Sequence, residues 1–494
     1  MKRNIFSLLA VLIAFVTLSS CHKESSEKKI LSFTITSPNV TATISEKEKT
    51  IRAMVPFGTD LTKLIPIITI SDNASINPAS GVTTDFTNPV TYTVTAEDGS
   101  RVNYTATVTI DASTGDPTNW TGNIDANTVW RDLGLPVDYI VEGPVSLLGN
   151  ALLTIEPGVT IMFTGVDGGI EVGENAGLRM VGTAEKPIEL VGPANNPNNG
   201  SWNRVIIYSN RNDNVFEHVH FLRGGSSNSK WDGVVNVRGK LSMKHCTIDG
   251  SLGTGLSTEY DGYLTAFEDN TIINCALYPW ITENFPALCR GNNSNNIFYQ
   301  NGDNRVYVDP SYVNLSMENL TLHTQPIPYY CPDGLSFDGN KELTIQPGVV
   351  IEIGSGHGIS MGNECGYIVN GTAEKPIIFR CDNPADNWDG ILFSSDNKDS
   401  SFSYCKFINC GNGEDWNNSC CLYIRSEARL NLSNNVFGPS NQHGVGIENI
   451  ENWGRVTHQG NTFTGCAHGN VWIDGAGTYG GNDYQNNQIL DELP

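Results

Sequence analysis

Apolar and polar residues alternate in short runs through most of the chain, as in Val205-Ile207 and Leu422-Ile424, and Gly, Asn, Asp and Ser fill the intervals. A period of two bounded by turn-formers predicts short β-strands joined by tight turns. A longer period lies above it. A small polar cluster followed by an apolar residue recurs as Asn295-Asn296-Ile297-Phe298, Asn434-Asn435-Val436-Phe437, Gly460-Asn461-Thr462-Phe463 and Asn486-Asn487-Gln488-Ile489. The apolar position steps by 26 residues from 272 to 298 and through 437, 463 and 489, with steps of 27 and 24 over 221, 248 and 272. That is the spacing of solenoid coils. One such coil cannot bury its own apolar face, so coils must stack, with strands about 4.8 Å apart and like residues above like in a continuous core of Ile, Val, Leu and Phe. Asn suits the corners because it tolerates left-handed backbone and bonds to nearby backbone groups. Stacked corner asparagines can also hydrogen-bond from coil to coil. An array of β-sandwiches would give strands every 8 to 12 residues or so but no reason for the longer recurrence.

The pattern is used twice. Residues 153 to 161 read LTIEPGVTI and 343 to 351 read LTIQPGVVI, while GTAEKPI occupies both 182 to 188 and 371 to 377. The correspondence continues through Trp202 and Trp388, Phe221 and Phe407, Leu241 and Leu430, Ile248 and Phe437, and Cys275 and Cys466. The two halves fall at about 120–308 and 309–494, and their coils are expected to form one continuous stack. LTIxPGVxI, then GTAEKPI, then Trp-x-x-Ile or Trp-x-Gly-Ile resembles the right-handed parallel β-helix (pectate-lyase-like) repeat proteins of bacterial surfaces. The resemblance covers residues 120–494 and implies an all-β, right-handed parallel β-helix solenoid. That superfamily holds lyases, hydrolases and adhesins, so the fold alone leaves function open.

Residues 30–111 differ: they carry no Trp and no Cys, and Thr, Val and Ile alternate in Val90-Tyr92-Val94 and Tyr104-Ala106-Val108. These are expected to be antiparallel strands, with Asp98-Gly99 as the hairpin turn between them. Val55-Pro56-Phe57-Gly58-Thr59-Asp60-Leu61-Thr62 and Tyr92-Thr93-Val94-Thr95-Ala96-Glu97-Asp98-Gly99-Ser100 resemble an immunoglobulin-like domain common in bacterial surface lipoproteins. The resemblance implies a small β-sandwich that serves as a spacer, with residues 112–119 as the linker to the solenoid.

The N-terminus carries an address. Lys2 and Arg3 precede an apolar run from Ile5 to Leu18, too short and too early for a membrane span, and Leu18-Ser19-Ser20-Cys21 follows. Residues 1–20 are therefore expected to be a signal peptide. A small residue before a lone Cys resembles the bacterial lipobox, which implies that Cys21 is acylated, as with palmitate, and that membrane lipid is a partner. Residues 22 to 29, HKESSEKK, make with Cys21 a polar tether. The expected location is the cell envelope, lipid-anchored, at the outer membrane or cell surface, with the periplasmic face left open. Cleavage before Cys21 would take the formal charge from −23 to −25. So acidic a chain is a poor partner for nucleic acid. It would tolerate Ca²⁺, but no D-x-[DN]-x-[DN]-G loop is present, and no cofactor or metal ligand set is read from the sequence. Twelve cysteines less the attachment residue leave eleven. An odd number cannot all pair, and Cys246, Cys405, Cys275 and Cys466 lie at strand-like or recurring positions where Cys acts as a small hydrophobe. Cys405, Cys410 and Cys420-Cys421 are close enough in sequence to form disulfides in an oxidising compartment.

Two strings bear on catalysis. Gly356-His357-Gly358 resembles the GHG motif of polygalacturonase-type glycoside hydrolases, but no Asp-Asp pair precedes it and no Arg-Ile-Lys follows, so His357 is expected to be a turn residue. Val471-Trp472-Ile473-Asp474-Gly475 resembles part of the pectate-lyase VWIDH signature, with Gly475 where that motif has His. Aromatic residues carry a different possibility. Trp202 and Trp388 open strands and are expected to be structural. Trp231 beside Asp232 and Trp416 beside Asn417 recur after polar loops, where a flat ring with carboxylate or amide neighbours suits a sugar platform. A buried Trp at a coil edge explains that recurrence equally well. Trp453, whose counterpart is Gly262, is a further binding candidate. The expected function is carbohydrate or surface binding or adhesion by a membrane-anchored lipoprotein without catalysis. A polysaccharide lyase or glycoside hydrolase is the alternative.

Overall fold

Strand after strand in the C-terminal part pairs in parallel with the strand one coil away, so the alternating pattern is resolved into stacked coils rather than hairpins. The computed structural model shows an all-β chain: a parallel β-solenoid of about 12 turns preceded by a small sheet domain. It describes residues 23–479 except 57–58, 111–116, 195, 197, 310, 363, 398, 413–419, 426–427, 449–454 and 474–476. Among the described residues the helical elements are two short 3₁₀ turns, Leu61–Lys63 and Phe285–Leu288. The chain divides into two units, Met1–Gly115 and Asp116–Pro494.

In the N-terminal unit a three-stranded and a five-stranded sheet enclose a core built around Phe33, Ile35, Tyr92, Val94 and Tyr104. Phe33 meets Tyr92 edge-on at 5.6 Å between ring centroids. Val90–Thr95 and Arg101–Ile110 pair antiparallel around Asp98-Gly99, where Gly99 takes φ 80°. The expectation of antiparallel strands needs one correction: Thr50–Val55 runs parallel to Arg101–Ile110. Those two strands are far apart in sequence, with Pro66–Ile70, Ser75–Asn77 and Val90–Thr95 between them, so the chain has room for the crossover that parallel pairing requires.

The solenoid begins at Thr118–Trp120, which pairs with Tyr139–Val141. Each coil contributes one strand to each of three faces. One face, here the through face, is a thirteen-stranded ladder from Pro144–Leu147 to Thr462–Phe463. The other two faces of the first half, eight and seven strands, end at Ile297–Tyr299 and Asn292–Ser294. Two new faces, eight and six strands, start at Tyr312–Leu315 and Leu320–Leu322. Among the described residues the two halves are thus continuous through one face only, which corrects the expectation of an unbroken stack. At the seam the coil carries the Phe285–Leu288 turn, and Phe285 packs edge-on against Phe337 of the second half at 5.2 Å. The core therefore remains one cluster from Ile124 to Val471 although two ladders are interrupted.

The duplicated units are also rotated. Phe221 and Ile248 are paired in the eight-stranded first-half face, whereas their counterparts Phe407 and Phe437 are paired in the through face. Equivalent strands are separated by a whole number of coils plus one strand, so every second-half strand lies on a different face from its counterpart.

Inside, like residues stack as the coil period requires. Ile248, Ile272 and Phe298 are consecutive partners, and Phe437 pairs with Phe463; Ile489 lies outside the described residues. Phe379, Phe407, Phe437 and Phe463 form a column with centroids 5.4, 4.9 and 5.4 Å apart. Trp202 and Trp388 are buried, and each donates its indole N–H to a carbonyl twenty residues on, that of Leu222 and Ile408 respectively, at 2.9 Å in both halves. The corner asparagines form the anticipated ladders. Asn435 Oδ1 accepts from the Cys405 N–H at 2.9 Å, while its amide donates to Phe402 O and to Asn461 Oδ1, both at 2.9 Å. Asn270 and Asn296 repeat the arrangement in the first half. In the first coils Trp130 stacks on Tyr139 at 4.7 Å, and Trp120 packs against Trp130 at 5.5 Å with its ring tilted by 57°. At the far end Gly477–Tyr479 turns back antiparallel on Gly469–Ile473.

The eleven cysteines from Cys246 to Cys466 are all buried. Burial pushes Cys246, Cys275 and Cys466 up to about 12. Little thiolate then exists at pH 8, and reagent has no access. Ellman's reagent should accordingly leave these thiols intact in the native protein and titrate them in guanidinium; rapid native labelling would contradict the burial. Replacing Asn435 by Ala strands the Cys405 N–H and Phe402 C=O of the preceding coil and cuts the link to Asn461 of the next, and should cost about 2–3 kcal/mol in denaturant unfolding. A loss below about 0.5 kcal/mol would show that the ladder carries little stability.

Candidate functional site

Because side chains alternate across a strand, the residues between the core positions of the through face form an outer column. Read along the ladder it runs Asn236, Ser257, Ile281, Tyr307, Tyr330, Glu352, Arg380 and Ile408, and so crosses the seam. The loop between Val219–Gly224 and Val235–Val237 carries Lys230, Trp231 and Asp232 onto this surface. Its anchor is Asn236, whose buried amide donates to the Trp231 carbonyl at 3.3 Å.

Trp231 is half-buried. The Lys230 ammonium lies 5.0 Å from its ring centroid and 4.3 Å from that of Tyr307, and donates to the Tyr307 hydroxyl at 2.9 Å and to Asp309 at 3.4 Å. Burial opposes the Lys230 charge, but Tyr307 and Asp309 outweigh it and hold the ammonium above its ordinary value. Tyr278 and Tyr330 flank Tyr307 at 4.9 and 5.7 Å. Arg305 sits 3.6 Å over Tyr330, forks onto Asp303 at 2.6 and 2.7 Å, and reaches Glu352 at 3.1 Å. Glu352 also accepts from Arg380. Burial pushes the Tyr330 hydroxyl up to about 12, so it stays a neutral donor at any physiological pH. The result is an aromatic ridge whose cations are each matched by an acid.

Sequence reasoning located one corner of this ridge. Asp232, expected beside the platform as a polar partner, is paired with Arg204. Trp416, Asn417, Trp453 and Cys21 lie outside the described residues, as do Asp474 and Gly475. The strands flanking Trp416 belong to the through face and the eight-stranded second-half face, whereas those flanking Trp231 belong to the eight-stranded first-half face and the through face. The two loops therefore leave different edges of the solenoid. Tyr278, Tyr307, Tyr330 and Arg305 carry no motif; registration places Tyr307 beside Tyr330 on the column, and Tyr278 and Arg305 pack on them from the segments leading into that face.

Two clefts on the solenoid also gather polar side chains. In the first half Tyr208, Arg238, Tyr260, Glu174 and Asp261 line about 570 Å³, with the Arg238 guanidinium 5.3 and 5.2 Å from the two tyrosine rings and paired with Glu259 at 2.8 Å. In the second half Tyr312, Asp333, Ser336, Ser360 and Asp389 line about 380 Å³. Its floor is open because Gly358 and Gly390 are ladder partners without side chains. His357 adjoins it: its carbonyl accepts from the Asp389 N–H at 2.8 Å, and its own side chain is exposed at the turn. Burial raises the Asp389 carboxyl, against the opposing influence of His357 and Asn412.

With this geometry in hand, comparison with known proteins adds one family. Residues 30–108 are similar to the family model "SGBP, N-terminal", the N-terminal domain of surface glycan-binding proteins. No curated protein matches the chain. Among solved structures it is similar to a provisionally assigned glycoside hydrolase of Bacteroides thetaiotaomicron, 36% identical over 18% of this chain and 26% of that one, with a TM-score of 0.16. The chain thus spans about a quarter of that structure. It is also similar to a provisionally assigned secreted protein of Bacteroides fragilis, 19% identical over 17% of this chain and 95% of that one, with a TM-score of 0.15.

Proposed function

We propose that this is a cell-envelope glycan-binding protein: an N-terminal sandwich of the surface glycan-binding type carrying a solenoid whose aromatic ridge contacts polysaccharide. The observation that carries this reading is the ridge itself, where half-buried Tyr278 and Tyr330 flank the buried Tyr307 and Lys230 bridges Tyr307 to the half-buried Trp231. Aromatic rings stack on sugar C–H faces while neighbouring polar groups take hydroxyls. Every ridge cation is matched by Asp303, Asp309 or Glu352, which favours a neutral polysaccharide over an acidic one in a chain of formal charge −23. The match at residues 30–108 supports the same function for the N-terminal unit. Among the described residues no helix is long and apolar enough to cross a membrane, and Cys21 is the residue proposed to hold the protein to lipid.

A second reading has its own observation. Asp333 and Asp389 line one cleft with His357 alongside, and glycoside hydrolysis rests on a pair of carboxyl groups.

Affinity electrophoresis of the full chain against a panel of neutral and acidic polysaccharides separates the two. Binding without turnover is expected, and Trp231→Ala should weaken it by about 1–3 kcal/mol, the range for stacking on an aromatic ring, or at least about fivefold. Unchanged binding in Trp231→Ala and Trp416→Ala would remove both platforms. Release of reducing ends that Asp389→Asn abolishes would establish hydrolysis instead. For the anchor, Cys21→Ser should end incorporation of labelled fatty acid and free the protein from the membrane fraction. Persistent fractionation with membranes would refute a lipid tether at this residue.

A further inference from the structure

At the corner between Val215–Glu217 and Val219–Gly224 the turn residue in the left-handed conformation is His218, φ 49°, and one coil later it is His245, φ 52°. The same corner in the next two coils is occupied by Asp269 and Asn295, φ 56° and 57°. Asp and Asn are common in that conformation because a short polar side chain can bond locally. Two successive histidines give the column a different chemistry. Their backbone N–H groups bond onward in the same manner, His218 to Lys244 O and His245 to Glu268 O, so coil stacking fixes one ring above the other. The imidazoles lie 4.8 Å apart with planes 10° from parallel. Glu217 precedes His218, and the donor atoms of Glu217, His218 and His245 all lie within 4.8 Å of one another.

We propose that Glu217, His218 and His245 form a site for a divalent transition metal ion of the Zn²⁺ or Ni²⁺ type, fastening two coils at an outer corner of the solenoid. Two imidazole nitrogens and a carboxylate oxygen suit such ions. Ca²⁺ and Mg²⁺ prefer all-oxygen shells. Bonds of about 2.1 Å place donors about 3.4 Å apart, so the three side chains must close slightly. His218 and Glu217 are half-buried and His245 is exposed, which leaves room for that rotation and for water in the remaining positions. Asp269, 3.9 Å from His245 Nδ1, is placed to orient that ring or to add an oxygen. Lys244, the nearby cation, is held by Glu268 at 2.7 Å rather than by Glu217.

Calorimetric titration of the untagged full chain with Ni²⁺ and Zn²⁺, with Mg²⁺ and Ca²⁺ as controls, tests the site. One saturable transition-metal site is expected, with a metal-dependent rise in melting temperature. His218→Asn and His245→Asn should each weaken it at least tenfold and abolish that rise. Asn is chosen because it already occupies the left-handed corner at Asn295 and Asn434, so circular dichroism of the variants should match the parent. Unchanged affinity and stoichiometry in the double variant, or no saturable binding by the parent, would overturn the proposal. Neither outcome bears on glycan binding, which is read separately.

Discussion

Hydrogen bonds between successive coils are the constraint on which the rest depends, because they fix which residue lies above which. Once Ile248 is laddered to Ile272 and Ile272 to Phe298, the inward side chains have no choice but to stack. A residue type repeated at the coil spacing therefore becomes a column: phenylalanine in the core, asparagine at the corner, tyrosine on the outward side of the through face, histidine at one turn. The asparagine columns secure the ladder where it is weakest, at bends whose backbone N–H groups would otherwise be buried without partners.

The same constraint explains why the seam matters. Two of the three ladders stop there, and the through face alone carries main-chain pairing from one half to the other. Tyr307 belongs to the last first-half strand of that face and Tyr330 to the first strand after the seam. The ridge is thus built by the join and is present in neither half alone. Since the second half is displaced by one face, the duplicated loops bearing Trp231 and Trp416 leave different edges. Duplication has generated a larger varied surface, where a plain continuation would have repeated one site.

Charge balance along the ridge separates recognition from catalysis there. Lys230, Arg305 and Arg380 each meet a carboxylate within 3.4 Å, so the ridge offers rings and satisfied ion pairs rather than an unmatched acid or base. In the second-half cleft, over a floor of two glycines, burial raises the Asp389 carboxyl, and a second acid, Asp333, lines the same cleft; in the first half burial likewise raises Glu259, but Arg238 pairs with it.

By itself the sequence determined the period, the duplication, the strand character and the structural tryptophans. These follow from local alternation and from repeats that survive in one dimension, and Trp202 and Trp388 could be matched because both halves use the same indole-to-carbonyl bond. It also marked Trp231 through its recurring loop. Asp232 was legible as a neighbour but not as the partner of Arg204, which reaches it from another coil. Only the tertiary structure decided that the two halves meet out of phase, that Tyr278 and Tyr330 flank Tyr307 with Lys230 linking it to Trp231, that Asp333 and Asp389 share a cleft, and that His218 lies over His245. Each of these depends on registration between coils, which is set by three-dimensional stacking of strands tens of residues apart and leaves no mark on the order of residues within any one coil.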